Sequence, residues 1–156
     1  KEIERSCLMH ISTKCSVAIH CLVFLYEYGE THRVTSELLS RSSGANPVTI
    51  RTILSALKKE GILQIKPGTG GASLNCPPEE INLYRICQAL EPDFLFKLIG
   101  VHPTPSPFCP VGRNIHHVLD STYEDVREDL KRSLAGITLA SIIEEYEGCL
   151  DEEEHS

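Results

Sequence analysis

Apolar residues recur at helical spacing near the start of the chain and predict a first helix over residues 14–28. Seven apolar residues share a wide face of this helix: Val17, Ala18, Cys21, Leu22, Phe24, Leu25 and Tyr28. Ser12 or Thr13 supplies a polar N-cap, and Gly29 ends the helix. We therefore expect a helix that is buried on a broad side.

Two further helices are predicted on either side of a turn at residues 42–44. Thr35 can cap the shorter one, and Asn46 followed by Pro47 is a strong start for the longer one, which runs to about Glu60. The longer helix has one apolar stripe for the core: Ile50, Ile53, Leu54 and Leu57. Its outer face is uncharged or basic apart from Glu60: Thr49, Arg51, Thr52, Ser55, Lys58 and Lys59.

A β-hairpin is predicted directly after this helix. Residues 62–66 and 72–75 are rich in strand-forming residues and flank a glycine-rich tip, Pro67-Gly68-Thr69-Gly70-Gly71. The order helix, short helix, turn, helix, hairpin is that of a winged helix-turn-helix. The predicted fold class is therefore mainly α with a small β-hairpin wing.

The second half of the chain predicts a shorter helix, a linker and a long helix. Pro77 and Pro78 open the shorter helix, which Pro92 ends, and its stripe is Leu83, Ile86, Cys87 and Leu90. Four prolines between residues 101 and 110 predict an extended linker. The long helix runs from Val111 to about Ala135, and Thr138 caps a last helix that bears Leu139, Ile142 and Ile143.

The long helix has more apolar surface than a domain of this size can cover. Its apolar residues keep a helical period throughout: Ile115, Val118, Leu119, Val126, Leu130 and Leu134. We predict that it packs against its own copy in a symmetric dimer. The predicted organisation is a winged helix-turn-helix domain at 9–91, a proline-rich loop at 92–110, dimerisation helices at 111–147 and an acidic tail at 148–156.

Composition places the chain in a general class. With 156 residues, 41% of them apolar and 24% charged, it is predicted to be one ordinary soluble domain, or a small domain with an added oligomerisation arm. Its longest apolar stretch falls well short of the roughly 20 residues of a membrane span, and residues 1–8, before Met9, are interpreted as an upstream extension or cloning remnant rather than a secretory signal. Seven scattered cysteines without a CxxC pair favour a reducing, cytoplasmic location.

The charge is unevenly distributed along the chain. The net charge of −7 divides into +3 over residues 1–75, with nine Lys/Arg against six Asp/Glu, and −10 over residues 76–156, with six against sixteen. A basic front half can approach a phosphate backbone while an acidic back half faces away from it. The total charge therefore does not exclude nucleic acid.

The winged helix-turn-helix pattern predicts binding to double-stranded DNA. A helix held by its apolar stripe can present the outer face of its N-terminal half to the major groove, and a glycine-rich wing tip can approach the backbone or minor groove. Arg51, Lys58 and Lys59 on the helix and Lys66 on the wing supply positive charge. The alternative is that residues 50–57 simply pack a small helical domain.

Four segments of the chain resemble the Rrf-two (Rrf2) family of bacterial winged-helix transcription regulators, whose members include IscR, NsrR and CymR. They are MHISTKCSVA at 9–18, KPGTGGASL at 66–74, EINLYRI at 80–86 and CPVGRNI at 109–115. The resemblance spans residues 9–147 and implies a homodimeric repressor that binds an operator. By position it assigns Val48, Thr49, Arg51 and Thr52 to the groove, Lys66 to the wing contact, and Ser12, Lys14 and Lys58 to phosphates.

The same resemblance raises the question of an iron–sulfur cluster. Cluster-binding members use three closely spaced cysteines before the long helix, but this chain has only Cys109 there, with Gly112 where a histidine would follow. A [2Fe–2S] cluster normally takes four protein ligands, so we predict no cofactor. A cluster sensor that recruits Cys76 and Cys87 in a different geometry is kept as an alternative.

Cys109 is a candidate redox-sensing residue in its own right. It directly precedes Pro110 at the predicted start of the long helix, where free backbone N–H groups and the helix dipole stabilise a thiolate, and Arg113 lies one turn along. The alternative is an unreactive cysteine packed under the loop.

These patterns are compatible with three functions. The first is a sequence-specific DNA-binding repressor that responds to a thiol reaction, a small ligand or a partner protein. The second is a DNA-free adaptor that binds a partner protein through the long helix and acidic tail. A thiol or metal enzyme is the third, but the glycine-rich segment joins two strands rather than a strand and a helix, and no acid/base pair is clustered, so we predict no catalytic site.

Overall fold

The computed structural model describes residues 12–68 and 71–155. Within these ranges the helices are α1 (Thr13–Tyr28), α2 (Ser36–Ser43), α3 (Pro47–Lys59), α4 (Leu83–Leu90), α5 (Phe94–Leu98), α6 (Pro110–Ala135) and α7 (Leu139–Glu154). The strands are β1 (Leu63–Lys66) and β2 (Gly71–Leu74), and a 3₁₀ turn spans Pro78–Glu80. The predicted extension at residues 1–8 and the wing-tip residues Thr69 and Gly70 lie outside the described residues.

The predicted helix starts in the front half are confirmed by their caps. The Ser12 side chain accepts from Lys14 N at 3.2 Å, and the Thr35 side chain accepts from Leu38 N. Asn46 Oδ1 accepts from Val48 N at 2.8 Å, with Pro47 at the first helical position. Each cap satisfies an N–H group that the helix itself cannot pair.

The predicted hairpin is also confirmed. Strands β1 and β2 pair antiparallel, with Leu63 opposite Leu74 and Lys66 opposite Gly71. Leu63 is buried at the base of the hairpin while the rest of β1 is exposed, so the hairpin projects from the domain as a wing. This wing consists of β1, β2 and the turn between them.

The prediction of one helix opened by Pro77 and Pro78 is wrong in detail. The prolines start only the 3₁₀ turn, and the backbone is extended at Ile81 and Asn82 before α4 begins. Asn82 pairs with Thr138: Leu83 N donates to Ile137 O at 2.9 Å, and Leu139 N donates to Ile81 O at 2.7 Å. Asn82 Oδ1 also accepts from Arg85 N, which makes Asn82 the true N-cap.

Two apolar clusters hold the elements together. The main core joins α1, α3, α4 and the wing base, with Leu22, Ile53 and Ile86 fully buried, and α7 contributes Leu139 and Ile143. A smaller group, the satellite cluster, contains Cys15, Cys87, Phe94 and Leu134 and links α1 and α4 to the end of α6. The C-terminal helices are therefore packed against the winged domain.

Much of the length of the last two helices is not packed against the rest of the chain. Of the 26 residues of α6 only Leu134 is buried, while Val111, Val118 and Val126 are exposed. Helix α7 continues to Glu154, through the predicted acidic tail, because glutamate is a good helix former. Short helix α5 falls where no element was predicted, and within the described ranges no helix has the length and hydrophobicity to cross a membrane.

Candidate nucleic-acid interface

The outer face of α3 is the central element of the candidate interface. Val48 is 65% exposed at its N-terminal end, Arg51 and Thr52 are exposed one turn on, and Thr49 is half-buried. The hydroxyl of Thr52 donates to Val48 O at 3.0 Å, which leaves its oxygen as an acceptor and its methyl group as an apolar contact. The opposite face is fixed in the core by Ile50, Ile53 and Leu57.

A groove of about 540 Å³ separates α3 from the wing. Its polar lining includes Arg33, Thr35, Glu37, Arg51, Ser55 and Lys66. The structure thus brings together two predicted contact residues, Arg51 on α3 and Lys66 on the wing. The remaining predicted residues do not line this groove.

Three predicted phosphate contacts lie at helix ends outside the groove. Ser12 and Lys14 stand at the start of α1, where Lys14 is exposed, and Lys58 is exposed in the last turn of α3. These positions leave their side chains open to a ligand that extends beyond the groove. Their role in binding stays a prediction.

In the free protein Arg51 is paired with a carboxylate. Its Nη2 lies 3.7 Å from Glu37 Oε1, and both side chains are more than half exposed. Hydrogen bonds to its own backbone N–H and to Ser36, with a smaller contribution from Arg51, lower the pKa of Glu37. An exposed pair like this contributes little to stability, so Arg51 is free to exchange Glu37 for another anion.

Arg33 is a residue of this interface that sequence patterns did not indicate. Its Nη2 donates to Gly68 O at 3.0 Å, and the neighbouring Val34 O accepts from Ala72 N at 3.3 Å. The α1–α2 loop therefore holds the wing at Gly68, just after the first strand, and at Ala72 in the second strand. Since this contact joins residues 35 positions apart, no local pattern could have revealed it.

Gly71 is required where the wing meets the α1–α2 loop. Its φ is +68°, and a Cβ atom there would lie 2.9 Å from Val34 O and 3.1 Å from Val34 N. Gly68, with φ of +77°, has open space around the same position.

We expect Gly71→Ala to destabilise the protein more than Gly68→Ala. Each change costs about 1–2 kcal/mol for a left-handed backbone, and only Gly71→Ala adds the collision with Val34. Urea unfolding of both variants measures the difference. Equal losses would show that the wing does not need this close approach.

Arg85 fixes the end of α3 relative to α4 and was also not indicated by the sequence as a site residue. Its Nη2 donates to Glu60 O at 3.0 Å, and its Nη1 donates to Glu80 O at 3.3 Å and to Cys76 Sγ at 3.6 Å. One guanidinium thus joins two backbone carbonyls and a cysteine sulfur from three segments of the chain. Arg85 is a positioning residue: it orients α3 without facing the groove.

Cys109 lies at the N-cap of α6 and is fully exposed. The backbone N–H groups of Gly112 and Val111 are available to its sulfur and lower the pKa of the thiol. This environment matches the one predicted for a reactive cysteine. Whether the thiol acts as a sensor stays a prediction.

We expect Cys109 to be alkylated by iodoacetamide at lower pH in the folded protein than in the urea-unfolded chain. The folded backbone stabilises its thiolate, whereas unfolding restores the ordinary pKa of about 8.5. Mass spectrometry of the Cys109 peptide across a pH series measures this, with the exposed Cys149 of α7 as an internal reference. A Cys109 profile that does not move on unfolding would contradict the expectation.

The residues around Cys109 do not fit an iron–sulfur cluster. A side chain at Gly112 would collide with the carbonyl of Ser106, because the loop crosses directly over the first turn of α6. His116 Nε2 lies 2.7 Å from His102 O and ties the start of the same loop to the helix. Within 12–68 and 71–155 no three His, Cys, Asp or Glu residues are grouped to hold a metal ion.

Cys76 and Cys87 do not supply the cluster ligands that are missing around Cys109. Cys76 contacts Arg85 and the carbonyl of Gly61, and Cys87 is buried in the satellite cluster, while Cys109 is exposed. The alternative of a cluster built from these three cysteines is therefore not supported by their positions.

Comparisons with known proteins agree with the winged fold. The profile of a family described as "Rrf2: Iron-dependent Transcriptional regulator" matches residues 11–145. The predicted HTH-type transcriptional regulator YwnA of Bacillus subtilis (strain 168) is 35% identical over 133 residues, which cover 85% of this chain and 96% of YwnA.

Solved structures show the same architecture over most of the chain. A crystal structure described as that of a DNA-binding protein is 31% identical, with a TM-score of 0.67, and the match covers 83% of this chain and 98% of that one. A transcriptional regulator from Lactobacillus plantarum is 24% identical with a TM-score of 0.73, over 92% of this chain and 99% of that one. The second likeness concerns the fold alone.

Proposed function

Because this chain belongs to the Rrf2 family and is a DNA-binding transcriptional regulator rather than an enzyme, we propose that it is a homodimeric repressor that reads a two-part operator. In this proposal Val48, Thr49, Arg51 and Thr52 face the major groove. Lys66 of the wing contacts the neighbouring backbone or minor groove.

The observation that carries the proposal is the α3–wing groove. Arg51 on α3 and Lys66 on the wing line it, and Arg33 of the α1–α2 loop adds a third positive charge. The arginine fork suits guanine edges or phosphates, and the lysine suits phosphates. Ser12, Lys14 and Lys58 would extend the phosphate contacts beyond the groove.

Members of the Rrf2 family bind DNA and typically act as dimers, and the exposed side of α6 supports the same arrangement here. One face of α6, the α6 stripe, contains Val111, Ile115, Val118, Leu119 and Val126. Within the described residues α6 packs against α4 and α5, mostly through its C-terminal part. A second copy of α6 would cover the α6 stripe and hold two α3 helices at a fixed separation.

In this proposal, repression results from the dimer occupying its operator. A dimer bound across one operator excludes polymerase from the same stretch of DNA, and release then requires a signal that favours a different arrangement of the two α3 helices. Cys109 at the start of α6 is our candidate for such a signal, through oxidation or alkylation of its thiol. A small ligand or a protein partner acting on the same helices is the alternative signal.

Selection of bound duplexes from a random pool, followed by fluorescence anisotropy, tests the proposal. We expect enrichment of a two-part site and a steep fall in affinity with salt, because several Lys and Arg residues displace counterions from phosphates. The DNA-free adaptor hypothesis predicts no enrichment and no retained duplex at low salt. Either of those two results would overturn the proposal.

A further inference from the structure

The satellite cluster contains two cysteines that the proposed function does not use. Cys15 lies in the first turn of α1 and is 4% exposed, and Cys87 lies in the middle of α4 and is 1% exposed. Both belong to the satellite cluster, on two helices that contact each other, and the Cys15 thiol is close enough to hydrogen-bond with Cys87. The pair therefore joins two helices that are far apart in the sequence.

The two thiols differ in reactivity because of this contact. Donation from Cys15 lowers the pKa of Cys87, while the same contact, together with burial, raises the pKa of Cys15. Glu91 at the end of α4 opposes ionisation of both sulfurs. Of the two thiols, Cys87 therefore ionises more readily than Cys15.

The residues packed around this pair are only partly buried. The satellite cluster is separate from the main core, and its outer neighbours are half-buried: Leu83, Tyr84, Leu90, Leu95 and Leu130. Cys21 contrasts with it, since it is fully buried in the main core on the same helix and burial raises the pKa of its thiol to about 11. Cys15 and Cys87 retain a slight exposure of 4% and 1%, whereas Cys21 has none, so we expect small oxidants to reach the pair before Cys21.

We propose that Cys15 and Cys87 form an oxidisable pair that a hydroperoxide converts into an intrachain disulfide between α1 and α4. The Cys87 sulfur attacks a peroxide oxygen, so that an S–O bond forms as the O–O bond breaks, and the leaving oxygen departs as water with hydrogen peroxide as oxidant. The Cys15 sulfur then attacks the Cys87 sulfur, and an S–S bond forms as the S–O bond breaks and a second water leaves. Two thiols lose two electrons to one peroxide.

The disulfide would change the presentation of the first turn of α1. A disulfide holds two sulfurs about 2.0 Å apart, closer than any thiol–thiol contact, so we expect α1 and α4 to draw together at Cys15 and Cys87. Lys14 directly precedes Cys15, and Ser12 lies three residues before it, where its carbonyl accepts from the Cys15 N–H at 2.9 Å. This consequence rests on the proposed function, in which both residues contact phosphate.

Oxidation of the full-length wild-type protein with stoichiometric hydrogen peroxide tests the disulfide without DNA. Remaining thiols are blocked with an alkylating agent, and the digest is compared with and without reduction by mass spectrometry. We expect a linked peptide pair containing Cys15 and Cys87. Recovery of both cysteines as alkylated thiols while Cys109 is oxidised, or a different pairing, would overturn the proposal.

Matched variants separate this pair from the other thiols. Cys15→Ala and Cys87→Ala should each abolish the linked peptide, whereas Cys21→Ala, which removes a buried cysteine from the same helix, should retain it. Loss of the link in Cys21→Ala as well would contradict the assignment. Because the wild-type peptide map stands alone, a variant that fails to fold does not decide the test.

A second arm measures the consequence for DNA with the selected duplex and anisotropy. The reduced protein should bind about tenfold more tightly than the oxidised protein at 0.15 M salt, because displaced lysines release fewer counterions. A disulfide that forms while affinity stays unchanged would overturn the proposed consequence but not the disulfide. No binding by the reduced protein would instead overturn the proposed function.

Discussion

Replacing Val118 and Val126 together with glutamate is expected to turn the protein into monomers. Both side chains are exposed in the single chain, at 56% and 43%, and lie on the α6 stripe that the proposed dimer covers. Burying a valine contributes about 1.5 kcal/mol or more, and each variant dimer would instead have to bury charges. The dimer should therefore weaken by at least about a hundredfold, which light scattering over a concentration series measures.

The same variant should lose operator binding without losing its fold. Circular dichroism and the urea midpoint should stay close to wild type because neither valine packs inside the chain. His117→Glu is the control: it adds the same charge to α6 on a different face, at an exposed position. If the double variant remains dimeric, or if His117→Glu dissociates equally, α6 is not the pairing surface.

Arg51→Ala is expected to weaken operator binding by about a hundredfold while leaving stability within about 0.5 kcal/mol. Among residues 12–68 and 71–155 the Arg51 guanidinium pairs with the exposed Glu37 alone, so its removal costs the fold little. In the proposed complex each dimer loses two arginine contacts, each worth about 1–3 kcal/mol. Anisotropy with the selected duplex and urea unfolding measure the two quantities separately.

Two companion variants identify what Arg51 contacts. Lys97→Ala removes an exposed cation on α5, away from the groove, and should bind normally. Arg51→Lys keeps the charge but not the planar guanidinium. It should bind the operator nearly as tightly as wild type if Arg51 contacts a phosphate. If Arg51 contacts a guanine edge, it should bind as weakly as Arg51→Ala. Equal operator affinities of Arg51→Ala and Lys97→Ala would show that Arg51 does not contact the DNA.

The helix starts were predictable because their signals are local. Thr35, Asn46 and Thr138 combine a capping side chain with an apolar stripe that begins within one turn, and each caps the predicted helix. The same holds for the hairpin, whose strands are separated by a glycine-rich turn. In these segments local preference and tertiary packing favour the same structure.

The start of α4 was mispredicted because a distant strand-like partner outweighs a local signal. Two prolines favour a helix start, but pairing of Asn82 with Thr138 holds the backbone extended for two residues. Asn82 then caps α4 through its side chain. Nothing near Asn82 in the sequence indicates a partner more than fifty residues away.

The candidate site was predictable only in part, for a similar reason. Arg51 and Lys66 could be identified because they belong to the helix and hairpin of a familiar motif. Arg33 and Arg85 act through backbone carbonyls of remote segments, Gly68 O for the first and Glu60 O for the second. A contact between a side chain and a remote backbone carbonyl produces no repeating pattern of residues, so it cannot be predicted from the sequence as the apolar stripes of the helices can.

The pairing of Asn82 with Thr138 has a consequence for operator spacing. It couples the winged domain directly to the turn between α6 and α7. In the proposed dimer the two α3 helices therefore keep a fixed angle to each other around the DNA axis. One extra base pair between half-sites turns the second half-site by about 35°, and about five place it on the far side of the DNA. The dimer would then discriminate against a site whose half-sites face the wrong direction around the DNA, even when their bases are correct.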